Sequence, residues 1–146
     1  MLVAPNIMVG PTPKTKADFQ ALRNCNVWAI VSVGTHVASG CFKIENCLCK
    51  KNETPDEDEL EEALSVLRIS VTTKHLRDAK EQSPCVAYIC GPQQQIYLLI
   101  TCFRWECLGR TSEVTIDALI NTAQFECKTN ELFSEKQLGW LRERYK

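Results

Sequence analysis

The sequence predicts an α/β domain of three layers, in which a central, mostly parallel sheet is flanked by helices. A helical segment leads directly into "VWAIVSV", residues 27–33, an apolar run rich in β-branched residues. Such runs are typical of buried strands in parallel sheets. Residues 54–67 carry the spacing of an amphipathic helix. Apolar and helical patterns then alternate to the end of the chain, which is the order expected when helices connect strands.

Length and charge limit what this domain can be. The chain has 146 residues, 45% of them hydrophobic, and a net charge of −1. This is enough for one domain, residues 1–146, around one core. The charge provides no basic field for nucleic acid or acidic membranes. No apolar run reaches the ~18 residues of a membrane span, and Pro5 interrupts any signal peptide. We therefore expect a soluble cytoplasmic or nuclear protein with no nucleic-acid or membrane partner.

The nine cysteines are many for this length, and their number is odd. A chain of this size can fold around its own core and shows no export signal, so we expect reduced thiols. The closest group is Cys41, Cys47 and Cys49, with His36 nearby. Its C-x5-C-x-C spacing differs from the C-x2-4-C pairs of zinc sites. We expect no metal and no other cofactor.

The first half of the chain has clear element signals. "NIMVG", residues 6–10, predicts an edge strand, and a short helix from residue 17 leads into the buried strand that Gly34 ends. Residues 35–53 show no regular pattern. In the next helix, Thr54 is the predicted cap, Pro55 the first position and Glu57 the partner in a capping box. One face of that helix then carries Leu60, Ala63, Leu64 and Leu67.

In the second half of the chain, strands and helices are predicted to alternate twice more. "LRISV", residues 67–71, indicates a strand, and residues 74–90 a helix that Pro84 interrupts and Gly91-Pro92 ends. After the polar turn "PQQQ", residues 96–101 indicate a second strand, followed by a loop. A helix from about Thr111 to Gln124 and a last helix opening at Ser134, with Gln137 completing a capping box, finish the domain.

Both ends of the chain resemble the dual-specificity branch of the cysteine-dependent protein phosphatases. The opening "IMVGPTPKTKADFQALRNCNVWAIVSV" resembles that family's first strand, helix and following strand. The tail "TNELFSEKQLGWL" resembles its P-N-x-x-F-x-x-Q-L ending. Between them, "YLLITCFRWECLGRTSEVTIDALI" stands where the family has V-L-V-H-C-x-x-G-x-x-R-S/T. The resemblance covers nearly the whole chain and implies the three-layer phosphatase fold.

The catalytic motif of that family, H-C-x5-R, is not intact in this alignment. The family's thiolate attacks phosphorus, while loop amides, a helix N-terminus and the arginine bind the phosphoryl oxygens. Aligned on Arg110, the cysteine position is Arg104 and the histidine position is Phe103. With Cys102 as the nucleophile instead, Arg110 lies eight positions on, and Thr101 replaces the histidine.

The general acid of the family is also missing at the expected place. The family carries an aspartate about thirty residues before its cysteine. Counting back from residues 102–104 reaches Thr72 and Thr73, with Asp78 a few residues later. A second alignment places the acid loop at "NETPDED", with Glu53 or Asp56, but it requires a long insertion before the loop strand. General acid catalysis alone contributes ~10²–10⁴ in rate, so the combined losses argue against an active enzyme.

Phosphate binding can outlast the loss of chemistry. Arg104 and Arg110 bracket the predicted loop, and the amides that follow Gly109 can open a helix toward an anion. Against this, Glu106 would repel phosphate, and the loop can instead collapse with Arg110 bound to carbonyls or to Glu113. The candidate phosphate-binding residues are Arg104, Gly109, Arg110, Thr111 and Ser112.

Three functions follow from these patterns. The resemblance with a broken motif favours a pseudophosphatase, with no catalytic residue, that binds phosphoproteins or protein kinases through a remodelled loop at 102–112. One alternative is a divergent, active protein-tyrosine or dual-specificity phosphatase that uses Cys102 and Arg110. Another is a phosphate-independent interaction module that uses the acidic cluster at residues 53–62.

Overall fold

The computed structural model describes residues 2–76, 85–108 and 113–146. They form five strands and five helices in a mixed order along the chain. The elements are β1 Leu2–Ala4, β2 Ile7–Gly10, α1 Lys16–Asn24, β3 Val27–Val33, β4 Lys43–Cys47, α2 Glu57–Leu76, β5 Val86–Cys90, α3 Gln93–Leu108, α4 Ile116–Glu126 and α5 Glu135–Arg144.

The strands form one sheet with the order β1-β2-β5-β3-β4. The pairs β2–β5, β5–β3 and β3–β4 are parallel, while β1 runs antiparallel to β2. The predicted edge strand at 6–10 is therefore β2, one position inside the edge, because β1 covers it. Strand β5 lies in the middle of the sheet. Strand β4 was missed in the sequence, since residues 43–47 are only partly buried and lack an apolar run.

Helices cover both faces of the sheet. Helix α1 packs on one face, where Leu22 contacts the cluster formed by Ile30 and Tyr88. Helices α2 to α5 pack on the other face around a larger core that includes Val31, Ile89 and residues of all four helices. The predicted three-layer α/β fold with a mostly parallel sheet is confirmed. Within the described ranges, no helix is both long and apolar enough to cross a bilayer.

A local capping signal predicted the start of α5 correctly and that of α2 only approximately. Helix α5 begins after Ser134, which forms the predicted capping box with Gln137. The predicted apolar face of α2 is buried. Its start is different, however: the Asp56 carboxylate accepts a hydrogen bond from the Glu59 amide at 3.0 Å, so Asp56 and not Thr54 caps the helix. The aspartate lies next to the first helical residue, Glu57, where its carboxylate can reach the open amides.

The assignments between residues 67 and 115 were mostly wrong. Residues 67–71 lie inside α2, residues 86–90 form a strand instead of the end of a helix, and residues 96–101 lie inside α3. Short apolar runs fit buried strands and buried helices equally, because a fully buried helix has no polar face. Helix α4 begins at Ile116 and is capped by Thr115, five residues later than predicted. The break predicted at Pro84 lies outside the described residues.

Candidate functional site

Strand β5 ends at Cys90, at the carboxyl edge of the sheet and between β2 and β3. Gly91 and Pro92 follow, and α3 begins at Gln93. Open parallel sheets bind their ligands outside the carboxyl ends of central strands. This strand, turn and helix are the arrangement that the phosphatase motif requires. The motif V-L-V-H-C therefore falls on "VAYIC", residues 86–90, and not on "LLITC", residues 98–102.

In this register the cysteine is kept and its two partners are lost. Ile89 takes the position of the histidine, and Ile96, six positions after Cys90, takes that of the arginine. Both isoleucines belong to the main core, and Ile96 is only 5% exposed. An aliphatic side chain has no charge and no hydrogen-bond donor for phosphoryl oxygens. The loop therefore lacks the cation that the family places against the phosphate.

The Cys90 thiol lies inside the protein on the α1 side of the sheet. Its burial raises the pKa of the thiol, and hydrogen bonds with the hydroxyls of Ser32 and Thr12 offset this only in part. A cysteine needs its thiolate form to attack phosphorus, and catalytic cysteines have a lowered pKa. Cys90 is accordingly a protonated, buried thiol at neutral pH.

The backbone after Cys90 is packed tightly against β3. Gly91 has a φ of +132°, and a Cβ added there would lie 2.0 Å from the carbonyl oxygen of Val33. Only glycine fits this position, because the conformation is strained for other residues and the space is already filled. Pro92 has no N–H, so one amide that could face an anion is missing from the turn.

Glutamine side chains in the first turn of α3 bind other parts of the protein. The backbone N–H of Asn52 donates to Gln94 Oε1 at 2.7 Å, and Gln94 Nε2 donates to the side-chain Oδ1 of Asn52 at 2.9 Å. Gln95 Nε2 donates to the Cys49 carbonyl at 3.4 Å. Gln137, at the start of α5, also donates to Gln94 Oε1 at 3.1 Å. The predicted polar turn "PQQQ" is thus the start of a helix whose side chains join α3, α5 and the loop before α2.

The residues predicted to form the phosphate loop lie elsewhere in the fold. Residues 102–108 belong to α3, so the predicted loop is wrong over that stretch. Arg104 faces Glu126 of α4, with 2.6 Å between Nη1 and Oε1 and 3.1 Å between Nη2 and Oε2. The shorter of these contacts lacks hydrogen-bond geometry, so it is an electrostatic contact. The other four predicted residues, Gly109, Arg110, Thr111 and Ser112, lie outside the described residues, and their role stays a prediction.

The alternative nucleophile, Cys102, lies in the middle of α3 and has no exposed surface. Its burial raises the pKa of the thiol to about 12, although a hydrogen bond with Tyr145 and the charge of Arg144 act in the opposite direction. A substrate could reach this sulfur only if the helix moved. Glu106, predicted to repel phosphate, is bound to Arg68 with 2.7 Å between Oε2 and Nη1.

The acid candidates of the second alignment lie before α2, where the phosphatase acid loop would be. Because the strand before the loop is β5, this alignment no longer needs a long insertion. Glu53 forms an ion pair with Lys136, and Asp56 caps α2. Both carboxylates therefore have structural contacts. The first alignment finds no acid in the described part of the chain, since Thr72 and Thr73 lie on α2 and Asp78 lies outside that part.

The acidic cluster at residues 53–62 is largely bound within the molecule. Arg144 of α5 pairs with Glu57 and with Glu61, the latter with 2.9 Å between Nη2 and Oε1. The Leu48 amide donates to Glu59 Oε1 at 3.0 Å. Among the described residues, no group of three or more His, Cys, Asp or Glu side chains is placed to hold a metal ion. These contacts give the cluster a role in holding α5 against α2.

Comparison with known proteins identifies the fold. The chain is similar to the human tyrosine phosphatase-like serine/threonine/tyrosine-interacting protein, with a TM-score of 0.65 and 10% identity over 98% of this chain and 93% of that chain. It is similar to a leucine rich repeat and phosphatase domain containing protein from Entamoeba histolytica, with a TM-score of 0.63 and 15% identity over 98% and 90%. The values for DUSP15 are 0.63 and 9%, over 98% and 85%. The sequence itself matches no family model and no curated protein.

These similarities extend over nearly the whole chain at low sequence identity, so they concern the fold. The domain has the fold of dual-specificity and protein tyrosine phosphatases. The resemblance stated from the two ends of the sequence is confirmed at that level. The strand end at Cys90 then marks where such a domain has its phosphate loop.

Proposed function

We propose that this protein is a pseudophosphatase, a phosphatase-like domain that binds phosphoproteins or protein kinases without turnover. The observation that carries the proposal is Ile96, which takes the arginine position of C-x5-R and is buried in the core. Phosphoryl transfer depends on stabilising charge on the phosphoryl oxygens. An isoleucine at this position provides no such stabilisation.

The state of the thiol supports the same proposal. Cys90 is buried and has a raised pKa, whereas the reaction needs a thiolate in contact with solvent-borne substrate. Ile89 cannot assist its deprotonation as a histidine could. Because these changes affect the nucleophile and the charge stabilisation separately, reversing one of them would not restore catalysis.

The proposed partner is a protein that carries phosphate or transfers it. One structural neighbour is named as a serine/threonine/tyrosine-interacting protein with a phosphatase-like fold, and we extend that kind of role to this chain. Function resides in particular sites and not in the fold itself, so loss of the loop chemistry leaves the rest of the surface available for protein recognition. A phosphoprotein or a kinase is the partner class most consistent with this fold.

The proposal is tested by phosphate release from a phosphotyrosine peptide and from p-nitrophenyl phosphate. We expect no release above buffer for the wild type, Cys90→Ser or Cys102→Ser. Cys25→Ser, which changes an exposed thiol, is the control for the effect of a cysteine substitution itself. A wild-type rate that Cys90→Ser or Cys102→Ser removes, and Cys25→Ser does not, would overturn the proposal.

A further inference from the structure

A concave surface lies on the opposite face of the sheet from the main core. It is a groove of about 390 Å³ between α1 and the segment before β4. We call it the α1 groove and define it by six of its lining residues. They are Lys16, Phe19, Gln20, Arg23, Cys41 and Phe42.

The α1 groove combines two aromatic rings with two cations. Lys16, Phe19 and Arg23 are spaced so that they share one face of α1. The centroids of the Phe19 and Phe42 rings lie 6.0 Å apart with an interplanar angle of 33°. The guanidinium carbon of Arg23 lies 5.8 Å from the centroid of the Phe42 ring. The contact with the ring holds Arg23 at the edge of the groove. Because the ring attracts the cation through its face, the N–H donors of the guanidinium stay available for another ligand.

The positive charge of the α1 groove is not compensated by nearby carboxylates. Where the structure describes their side chains, the other arginines each form an ion pair, whereas Arg23 and Lys16 form none with any described residue. Within the part of the chain that the structure describes, no aspartate or glutamate lines the groove. Asp18, on the same helix, accepts hydrogen bonds from the Lys14 and Thr15 amides at 2.9 and 3.1 Å. Its carboxylate is therefore turned to the start of α1.

We infer that the α1 groove binds a phosphotyrosine side chain of a partner protein. The inference rests on the proposed function only in taking the partner to be a phosphoprotein. An aromatic anion matches both parts of the groove: its ring packs against Phe19 and Phe42, and its phosphate accepts hydrogen bonds from Arg23 and Lys16. Arginine binds phosphate through two parallel N–H donors, and aromatic pairs add to this through ring packing. Phosphoserine has no ring to use the aromatic part.

The test is fluorescence anisotropy of the full chain with a fluorescein-labelled peptide that contains one phosphotyrosine. We expect saturable binding, and a loss of about tenfold or more in affinity for Arg23→Gln and for Lys16→Gln, because each removes a charge-assisted hydrogen bond. The matched controls, Arg142→Gln and Lys51→Gln, remove the same charges elsewhere and should stay within about twofold of the wild type. Absence of binding, or equal loss in the controls, would overturn the inference.

Two further arms identify what the groove recognises. The same peptide without phosphate, and one with phosphoserine, should bind at least about tenfold more weakly; equal binding would contradict phosphotyrosine recognition. Arg110→Ala tests the predicted loop at 109–112: if it removes binding and Arg23→Gln does not, the phosphate binds there and the inference is wrong.

The peptide should also protect the exposed thiol of Cys41 from alkylation, but not that of Cys107. Equal alkylation of Cys41 with and without peptide would count against the groove.

The failures of the two proposals are distinguishable. Binding that needs Arg23 supports the α1 groove whether or not the peptide is dephosphorylated. Phosphate release that needs Cys90 contradicts the pseudophosphatase proposal alone. Arg23→Gln, Lys16→Gln and their two controls change exposed side chains. Each should keep the wild-type thermal unfolding midpoint, so that a loss of affinity reports the groove and not misfolding.

Discussion

Two short segments of this protein have similar composition and different structures. "VAYIC", residues 86–90, and "LLITC", residues 98–102, are both apolar runs that end in a fully buried cysteine. The first is the central strand β5, paired with β2 and β3 on its two sides. The second lies in α3, where the Thr101 hydroxyl donates to the carbonyl of Tyr97 one turn earlier at 2.7 Å.

The difference shows that the place of a cysteine in the fold, at the end of a strand or inside a helix, decides its possible chemistry. Cys90 stands at the carboxyl end of a central strand, followed by a glycine turn and a helix start, where a phosphatase holds its nucleophile. Cys102 lies in the middle of α3 and has no exposed surface. Only the first position matches the place of the family's nucleophile, and under the proposed function the isoleucine at position 96 leaves it without the charge of the family's arginine.

The largest effect is expected from placing the family's arginine back at position 96. Ile96→Arg should destabilise the protein by about 4 kcal/mol, because it places a cation in the core where the side chain is 5% exposed. The carboxylate beside it in the adjoining groove, Glu126, is already paired with Arg104. Urea unfolding measures the loss of stability. Ile69→Arg, at an apolar position that is 51% exposed, should change stability by about 0.5 kcal/mol or less. A stable Ile96→Arg protein would mean that position 96 faces an open loop, and the comparison of the two segments would fail.

The turn after β5 is expected to be the next most sensitive position. Gly91→Ala should cost about 3 kcal/mol, since its Cβ would overlap the Val33 carbonyl and its φ is positive. Gly139→Ala provides the matched control, because a Cβ at that position in α5 meets nothing within 4 Å. That change should stabilise the helix by about 1 kcal/mol. Similar midpoints for the two variants in chemical unfolding would show that the turn is not packed as described.

The buried thiol in α3 should make the protein less stable in alkali. Burial raises the pKa of Cys102 from its ordinary 9.0 to about 12, so between these values the unfolded chain loses a proton that the folded chain keeps. The stabilisation is complete below pH 9 and is lost as the pH rises toward 12, by about 1.4 kcal/mol per pH unit at most. Cys102→Ala should unfold with a shallower pH dependence over this window.

The exposed cysteine provides the control for this pH dependence. Cys25→Ser changes a thiol at the surface and is the control for replacing a cysteine as such. If Cys102→Ala and Cys25→Ser give the same slope as the wild type, the Cys102 thiol is not desolvated in the folded protein.

The sequence predicted the elements with local signals and misplaced those that depend on pairing. The capping box at Ser134, the buried run of β3 and the apolar face of α2 each have a signal within a few residues, and all three were predicted. Strand β5 is defined by hydrogen bonds with β2 and β3, which are distant in sequence, so its five residues were assigned to a helix.

The site was misplaced for the same reason. Choosing "LLITC" as the strand moved the cysteine of the motif from position 90 to 102 and made the acid alignment at residues 53–56 appear to need an insertion. The length of the apolar segment is a signal that was present: residues 96–108 are too long for a typical strand, while "VAYIC" has a strand's length and ends at Gly91-Pro92. The aromatic and basic side chains of the α1 groove come from α1 and from residues 35–53, which show no regular pattern in the sequence. No sequence motif contains both segments.

The most direct test of the central claim is whether any cysteine becomes phosphorylated. The protein would be mixed with a phosphotyrosine peptide labelled with ³²P, quenched within milliseconds to seconds, and digested to locate label on each cysteine. The buried thiol of Cys90, with Ile96 in place of an arginine, predicts no labelled cysteine at any time. Label on Cys90 that disappears in Cys90→Ser would show a working nucleophile and contradict the account.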